Sequence, residues 1–411
     1  MSLFYFDKFI ETSITWETLI NDLSKESYFN RYCFYGNYYE IFKSIIKSMI
    51  LHKEIIMLDS DFSSDEISRL TEIKDISTFQ EIIDLSFLSN YSKLDLIKLI
   101  QETNDKWKIT LYTSGTTGIP KKVIHSFSSI TRFVKKSESH NANIWGFAYN
   151  PTHMAGIQVF FQAILNGNAI IRLFGLSKDD IFNLVNQYSI TNISATPTFY
   201  RLLLPHDKQY FSVLKITSGG EKFDNKTLSS ISAIFPKAKI YNIYASTEAG
   251  TLFAAKDNYF EINNDILNYI KILDNELYIH KSLIGEYVND SNSEWYATGD
   301  IVEIISPNPL QFVFKTRKND MINVGGYKVN PNEVEDEIRN IKGVVDVRVY
   351  SKKNSVLGNV ILCDVVTNEV LISESTIKTI LKDKLQEYKI PRVIRFVKEI
   401  EITRTGKIKR I

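Results

Sequence analysis

Up to Gly250, apolar runs and helix-period stretches take turns along the chain. Residues 39–52 read as a helix and 54–58 as the strand after it. Residues 108–112 read as another strand, and 128–139 as a helix with Ile130, Phe133 and Val134 on one face. The runs at 145–149, 169–174, 192–196, 214–217 and 239–244 are largely apolar, as strands buried on both faces are. Helical patterns at 157–165 and 178–188 separate several of them. This alternation predicts an α/β fold in which mostly parallel sheets are flanked by helices.

After Gly250 the rhythm changes. Short runs at 260–262, 270–272, 277–279 and 301–305 predict a small barrel-like or antiparallel section. Residues 315–320 are charged and without apolar periodicity, which predicts a linker. Beyond them Pro331 suits the first turn of a helix carrying Val334, Ile338 and Ile341 on one face. Strands at 344–350, 360–366 and 393–397 and a helix at 374–387 complete a compact α+β unit. The expected organisation is a large N-terminal domain, 1–317, and a small C-terminal domain, 318–411.

Composition narrows the class. A chain of 411 residues with 44% hydrophobic content can bury more than one core. The net charge of +1 gives no electrostatic footing for nucleic acid. Cys33 and Cys363 lie far apart and outside any metal spacing, so reduced thiols are expected. The first residues lack a basic stretch followed by an apolar one, and no apolar run approaches the ~18 residues of a membrane span. The expectation is a cytoplasmic protein with no membrane span.

The most telling stretch is Thr113-Ser-Gly-Thr-Thr-Gly-Ile-Pro-Lys121. Its glycines, Gly115 and Gly118, let backbone wrap an anion. The hydroxyls of Thr113, Ser114, Thr116 and Thr117 can donate to anion oxygens, and Lys121 adds charge. It is not a Walker A loop, which ends Gly-Lys-Ser/Thr, whereas Pro120-Lys121-Lys122 follows here. Alone, it reads equally well as a Ser/Thr/Gly surface loop.

Further words follow in order: Tyr244-Ala-Ser-Thr-Glu-Ala-Gly250, Tyr296-Ala-Thr-Gly-Asp300, Arg317-Lys-Asn-Asp320, Val324-Gly-Gly326 and Thr405-Gly-Lys-Ile-Lys-Arg410. From Thr113 onward this series resembles the core motifs of the adenylate-forming superfamily, which includes acyl- and aryl-CoA synthetases, adenylation domains and luciferases. The resemblance implies activation of a carboxylic acid with ATP and Mg²⁺ as an acyl-adenylate, releasing pyrophosphate. Transfer to a pantetheine thiol follows, either of CoA or of an acyl carrier protein. It also implies that the C-terminal domain is mobile.

On that resemblance, Thr113, Ser114, Gly115, Thr116, Thr117, Gly118 and Lys121 form the phosphate loop. Thr247 touches the α-phosphate and Glu248 holds Mg²⁺, a hard cation suited to carboxylate oxygen. Gly220, Glu221, Asn242, Tyr244 and Ala245 surround the adenosine, and Tyr244 stacks on the base. Asp300 accepts from both ribose hydroxyls, with Arg317 as an added donor. Lys407 bridges the α-phosphate and the attacking carboxylate. His153 lines the acyl pocket and thiol tunnel, Gly325 and Gly326 let backbone approach the pantetheine arm, and Asn319 is the hinge.

The acyl pocket is expected near Met154, Gln158, residues 197–200 and 219–223, and Ile243. Around Tyr149-Asn150-Pro151 there is no aspartate to read an amino acid's ammonium, so a neutral aliphatic or aromatic acid is favoured. Arg132, Lys135 and Lys136 could meet either CoA phosphates or an acidic carrier protein.

The chain departs from the family pattern in four places. Lys122 and Ala245 replace glycines, Asn319 replaces an aspartate, and Ile402-Thr-Arg404 replaces a proline-containing lead-in. The first motif also comes early, so the N-terminal part is expected to be abbreviated. The compact acyl/aryl-CoA ligases are the nearest pattern. A non-catalytic nucleotide-binding regulator and an oxidative light-emitting enzyme stay open as other readings.

Overall fold

The computed structural model describes residues 2–73, 75–113, 121–221, 223–255, 259–287, 293–324, 327–354, 358–368, 372–403 and 407–408. An eight-stranded sheet dominates the N-terminal part. Its central strands are Lys239–Ser246, Lys215–Gly219, Asn192–Ala195, Ile144–Phe147, Ala169–Arg172 and Leu3–Asp7, all parallel. Gly250–Ala255 and Thr12–Thr15 close its two edges antiparallel. Helices Met154–Ile164, Lys178–Gln187, Pro197–Leu202 and Asn225–Ile234 connect successive strands. Burial on both faces explains why Ile144–Phe147, Ala169–Arg172 and Asn192–Ala195 read as largely apolar runs.

A second sheet of five strands runs Glu286–Tyr287, Lys121–Ser126, Lys108–Thr113, Ile55–Met57, Tyr32–Cys33. Its middle hairpin pairs Lys108–Thr113 with Lys121–Ser126, Thr113 facing Lys121. The barrel-like section is a five-stranded antiparallel sheet: Phe260–Glu261, Leu310–Arg317, Trp295–Pro307, Glu276–His280, Ile270–Leu273. No helix among the described residues is long and apolar enough to cross a membrane. Cys33 and Cys363 are both buried free thiols.

Past the turn Lys318–Asp320 a separate core forms. Strands Val344–Asn354, Gly358–Thr367 and Val393–Phe396 pack against helices Pro331–Arg339 and Glu374–Lys382. Val334, Ile338, Val347, Val349, Ile361 and Leu381 fill the space between them. This unit meets the large one through buried charge. Arg201 lies 3.5 Å from Asp224 and 3.4 Å from Asp346, and Arg339 lies 3.5 Å from Asp346. Lys226 donates to the carbonyls of Arg339 at 2.8 Å and Val344 at 2.9 Å.

Several element boundaries differ from the sequence pattern, and three of the differences have a visible cause. The helix expected over 128–139 is only Phe127–Thr131. Downstream, Lys135 exchanges backbone bonds with the Gln162 side chain and accepts from Asn166, so contact with helix Met154–Ile164 replaces helical bonds. Within the expected linker 315–320, the strand Leu310–Arg317 continues through Arg317, and only Lys318–Asp320 forms the turn. The helix expected over 374–387 stops at Lys382, where the chain turns to bury Leu385.

Candidate active site

Asp300 and Arg317 face each other in the ladder between Trp295–Pro307 and Leu310–Arg317. The Asp300 carboxylate is 1% exposed. Arg317 Nε donates to Oδ1 at 2.9 Å, and the Tyr244 hydroxyl donates to Oδ2. Burial first, and then the Asp300 charge, push the Tyr244 hydroxyl well above its ordinary range, so it stays a donor. Each carboxylate oxygen keeps a free lone-pair direction for a further donor. The Tyr244 ring packs in an aromatic cluster with Phe253 and Phe260 at centroid distances of 5.5 and 6.2 Å.

These groups border a cavity of about 380 Å³ lined by Gly220, Glu221, Asn242, Ala245, Asp300 and Arg317, and by Asp336 and Arg339 from the C-terminal unit. Both units therefore build its walls. Lys407 reaches the same place. Gly220 has φ +84°, and a Cβ there would lie 2.8 Å from Lys407 Cε. The left-handed backbone conformation favours glycine at 220, and its missing Cβ lets the lysine come close. The segment carrying Lys407 is pinned by Glu221, whose Oε1 accepts from Ile408 N at 2.8 Å. Glu221 Oε2 accepts from Thr198 N and Oγ1 at 3.2 and 2.6 Å. Glu221 is therefore a bracket for the lysine segment as well as a cavity wall. Burial, then the Arg317 charge, lower the Lys407 ammonium from its ordinary value, while Glu221, Asp300 and Glu248 pull it back up. One lysine, 90 positions or more from each of these groups in sequence, feels them all.

Thr247 and Glu248 occupy the tight turn between Lys239–Ser246 and Gly250–Ala255. Both their carbonyls are held from outside. His125 Nε2 bonds Thr247 O at 2.8 Å, and Gly285 N donates to Glu248 O at 2.8 Å. His125 is 1% exposed, and its Nδ1 lies 3.0 Å from Ser129 Oγ. A Cβ at Gly285 would stand 2.7 Å from Ile124 O and 2.8 Å from His125 Cε1, so only glycine lets the two segments close up. The strand leaving the phosphate loop is thereby tied to the Thr247–Glu248 turn. Neither His125 nor Gly285 carries a motif; the spacing of 122 residues between His125 and Thr247 hides their pairing.

His153 sits at the N-cap of helix Met154–Ile164, but its ring does not cap the helix. It turns instead to Asp59, Nε2 to Oδ2 at 2.9 Å. Asn150 Nδ2 donates to the same oxygen at 3.1 Å. The sequence around Asn150 offers no aspartate; the fold brings one from 91 residues away.

The remaining expected residues are less gathered. Ser114, Gly115, Thr116, Thr117, Gly118, Gly325 and Gly326 lie outside the described residues. The stem Ile322–Val324 with Tyr327–Val329 flanks the last pair. Asn319 is exposed in the turn Lys318–Asp320. Glu276 couples that turn to the Asp300 motif, accepting from Lys318 Nζ at 3.0 Å and Gly299 N at 3.1 Å. Arg132 points inward to the Leu283 carbonyl at 3.0 Å, which leaves Lys135 and Lys136 as the exposed pair of that basic group. No cluster of three or more His, Cys, Asp or Glu able to hold a metal occurs among the described residues.

A parallel α/β sheet, a buried aspartate–arginine pair and a lysine delivered by a second unit define a nucleotide-handling protein of two parts. The chain belongs to the AMP-binding enzyme family, whose model matches residues 45–292, while the AMP-binding enzyme C-terminal domain matches residues 333–407. It is 25% identical to a 2-succinylbenzoate–CoA ligase of Staphylococcus epidermidis over 88% of this chain and 82% of that protein. Among solved structures it resembles ATP-bound MatB from Rhodopseudomonas palustris (TM-score 0.73, 15% identity, 99% of this chain and 94% of that one). It also resembles the o-succinylbenzoate CoA synthetase MenE from Bacillus subtilis in complex with the acyl-adenylate OSB-AMP, with a TM-score of 0.68 and 18% identity over 99% of this chain and 94% of that one.

Proposed function

We propose that this protein is an AMP-forming acid–thiol ligase that activates a small carboxylic acid with ATP and passes the acyl group to CoA. The observation that carries this reading is the arrival of Lys407 beside Gly220, within the electrostatic reach of Glu221, Asp300 and Glu248, at one cavity built by both units. The matched families and the CoA-ligase relative support it.

The chemistry follows from the charges. A carboxylate and a triphosphate repel each other, and an ammonium between them offsets that repulsion. Lys407 would sit between the substrate carboxylate and the α-phosphate as the acid oxygen attacks phosphorus and pyrophosphate departs. Asp300, with Arg317 and Tyr244 fixing its carboxylate, would hold the ribose diol. Gly220, Asn242 and Ala245 would form walls of the base site. The segment from Thr113 to Lys121 would hold the outer phosphates. Thr247 would meet the α-phosphate, its backbone steadied by His125.

Glu248 fits a Mg²⁺ ligand: among the described residues its half-buried carboxylate has no side-chain partner, and a single hard oxygen ligand suits an ion otherwise held by phosphate and water. When bound, the ion supplies charge neutralisation on the phosphates.

The second half-reaction needs a thiol beside the adenylate. The division into 1–317 and 318–411, with Asn319 in the pivot turn, would let the C-terminal unit swing and present Gly325 and Gly326 to the pantetheine arm. Asp59 is already engaged by Asn150 and His153, which fits a neutral aliphatic or aromatic acid better than an amino acid. A supply of ATP and CoA suits a cytoplasmic setting.

The test is pyrophosphate release with Mg-ATP across aliphatic, aromatic and amino acids, with and without CoA. An acid turned over rapidly only with CoA supports the reading. Adenylate formation that CoA does not accelerate would point to a carrier protein, and absence of any acid-dependent release would overturn the enzyme assignment.

A further inference from the structure

The C-terminal unit closes its own apolar core. That core runs from Ile322 to Ile394 and shares no side chain with the cores of the large unit among the described residues. Charged and polar groups join it to the large unit. Asp346 stands at a bulge near the start of strand Val344–Asn354, and Val347 N donates to its Oδ1 at 2.9 Å, which fixes the carboxylate. That oxygen lies 3.4 Å from Arg201 Nε in the large unit and 3.5 Å from Arg339 Nη2 in its own. Arg201, on helix Pro197–Leu202, passes the tie on. Its Nη2 donates to Thr198 Oγ1 at 2.8 Å, Thr198 Oγ1 donates to Glu221 Oε2 at 2.6 Å, and Glu221 Oε1 accepts from Ile408 N at 2.8 Å. Two distant points of the C-terminal unit, Asp346 and the residue after Lys407, are therefore fastened to one relay of the large unit.

These ties can let go. The ion contacts at 3.4 and 3.5 Å are longer than an ordinary hydrogen bond of about 2.9 Å. The Nε atoms of Arg201 and Arg339 are buried with no hydrogen-bond partner among the described residues. A buried ion cluster bonded so incompletely gains little over its hydrated parts, and a polar contact between two units permits relative motion. Lys407 depends on the contact. The charged groups around it, Arg317, Glu221, Asp300 and Glu248, all belong to the large unit. The lysine meets them, and is buried, only while the units are docked.

We propose that Asp346 is a positioning residue for acid activation: paired with Arg201, it holds the C-terminal unit in the pose that sets Lys407 in the cavity, and its release frees that unit for thiol transfer. The inference rests on the acid–thiol ligase reading above. Asp346 is not among the residues that line the nucleotide cavity and acts on Lys407 only through the docked pose. Weakening the tie lowers the docked fraction. Acid activation falls by the same factor, while transfer, which uses the released unit, does not. The alkaline limb of activation moves as well. In a population that is mostly undocked, Lys407 titrates near its ordinary value of 10.5, whereas wild type loses activity at lower pH.

The experiment uses the full chain as wild type, Asp346→Asn and Lys226→Met. Asp346→Asn keeps the side-chain shape and removes the charge. Lys226→Met removes an independent tie, to the Arg339 and Val344 carbonyls, and decides the matter alone if the first variant does not fold. Acid-dependent ATP–pyrophosphate exchange, followed from neutral pH up to 10.5, reports activation. Single-turnover transfer from preformed adenylate to CoA at neutral pH reports the second half-reaction. Asp346→Asn should lower exchange by about tenfold and Lys226→Met by less, with transfer kept within about twofold in both. In both variants the alkaline limb of exchange should shift upward, toward 10.5. Equal loss in both half-reactions, loss of exchange with an unmoved alkaline limb, or wild-type exchange in both variants overturns the inference. A wild type with no acid-dependent exchange overturns the ligase reading, and this inference falls with it.

Discussion

His125 Nε2 and the carbonyl oxygen of Thr247 lie 2.8 Å apart, joining the strand that leaves the phosphate-loop hairpin to the turn that carries Glu248. The imidazole is buried and its second nitrogen is met by Ser129. It therefore acts as a fixed spacer between two halves of the proposed phosphate site. His125→Leu should raise the Mg²⁺ concentration needed for half-maximal exchange by about tenfold, equivalent to ~1.4 kcal/mol. His125→Gln, which can still donate to Thr247 O, should recover most of it. Titrating Mg²⁺ in the exchange assay checks this, and an unchanged Mg²⁺ requirement in the leucine variant would refute it.

The same residue predicts a pH dependence of stability. Burial, against a raising influence of the bond to Thr247 and with Arg132 adding to the lowering, holds His125 below its ordinary value of 6.5. A neutral imidazole favoured by the fold gives stability that is present above 6.5 and lost as pH falls through the folded-state value. Urea unfolding at a series of pH values should show stability declining on the acid side. His125→Gln should flatten that decline, since it removes the titrating group.

Lys407 supports a prediction for the first half-reaction. Lys407→Ala should lower acid-dependent exchange by roughly 10²–10³-fold, the usual cost of removing one group that stabilises developing charge. Transfer from supplied adenylate should suffer far less. Because burial and the Arg317 charge lower the ammonium from 10.5, the alkaline limb of exchange should fall at a lower pH than an ordinary lysine would give. Parallel assays of the two half-reactions, the first across alkaline pH, decide both points.

Asp300 is held by Arg317 and Tyr244, so its loss should be felt twice. Asp300→Ala should raise the KM for ATP by at least about tenfold and lower stability by ~1–3 kcal/mol, since the buried Tyr244 hydroxyl and the half-exposed Arg317 guanidinium lose their acceptor. Arg317→Ala should raise KM while costing less stability, because its side chain is half exposed. Steady-state kinetics and chemical denaturation of the pair distinguish the two effects.

Where the two units meet, Asp346 faces both Arg201 and Arg339. Asp346→Ala leaves two buried guanidinium groups with less compensation and should cost ~3–5 kcal/mol. Replacing Lys226, which donates to the Arg339 and Val344 carbonyls, by methionine should loosen the contact more gently. Denaturant unfolding orders the two variants.

Much of the fold was legible because burial on both faces writes a parallel strand as an unbroken apolar run. The strands at Ile144–Phe147, Ala169–Arg172, Asn192–Ala195, Lys215–Gly219 and Lys239–Ser246 all fall on such runs. Leu3–Asp7 was not legible: five residues carry too little pattern, and pairing with Ala169–Arg172 on one side and Thr12–Thr15 on the other makes them a strand. The shortened helix Phe127–Thr131 has the same origin, since Lys135 satisfies its backbone on Gln162 in place of the next helical turn.

By itself the sequence determined the order of elements and the residue types at the motifs, because strand periodicity and the local chemistry of Ser, Thr, Gly and Lys are written between neighbours in the chain. The tertiary structure decided which distant groups meet. Asp59 reaches His153 across 94 positions, His125 reaches Thr247 across 122, and Glu221 reaches the Ile408 amide across 187. A hydrogen bond depends on distances of about 3 Å in space and leaves no period in the sequence. Those contacts became visible only when the sheets and the C-terminal unit were packed together.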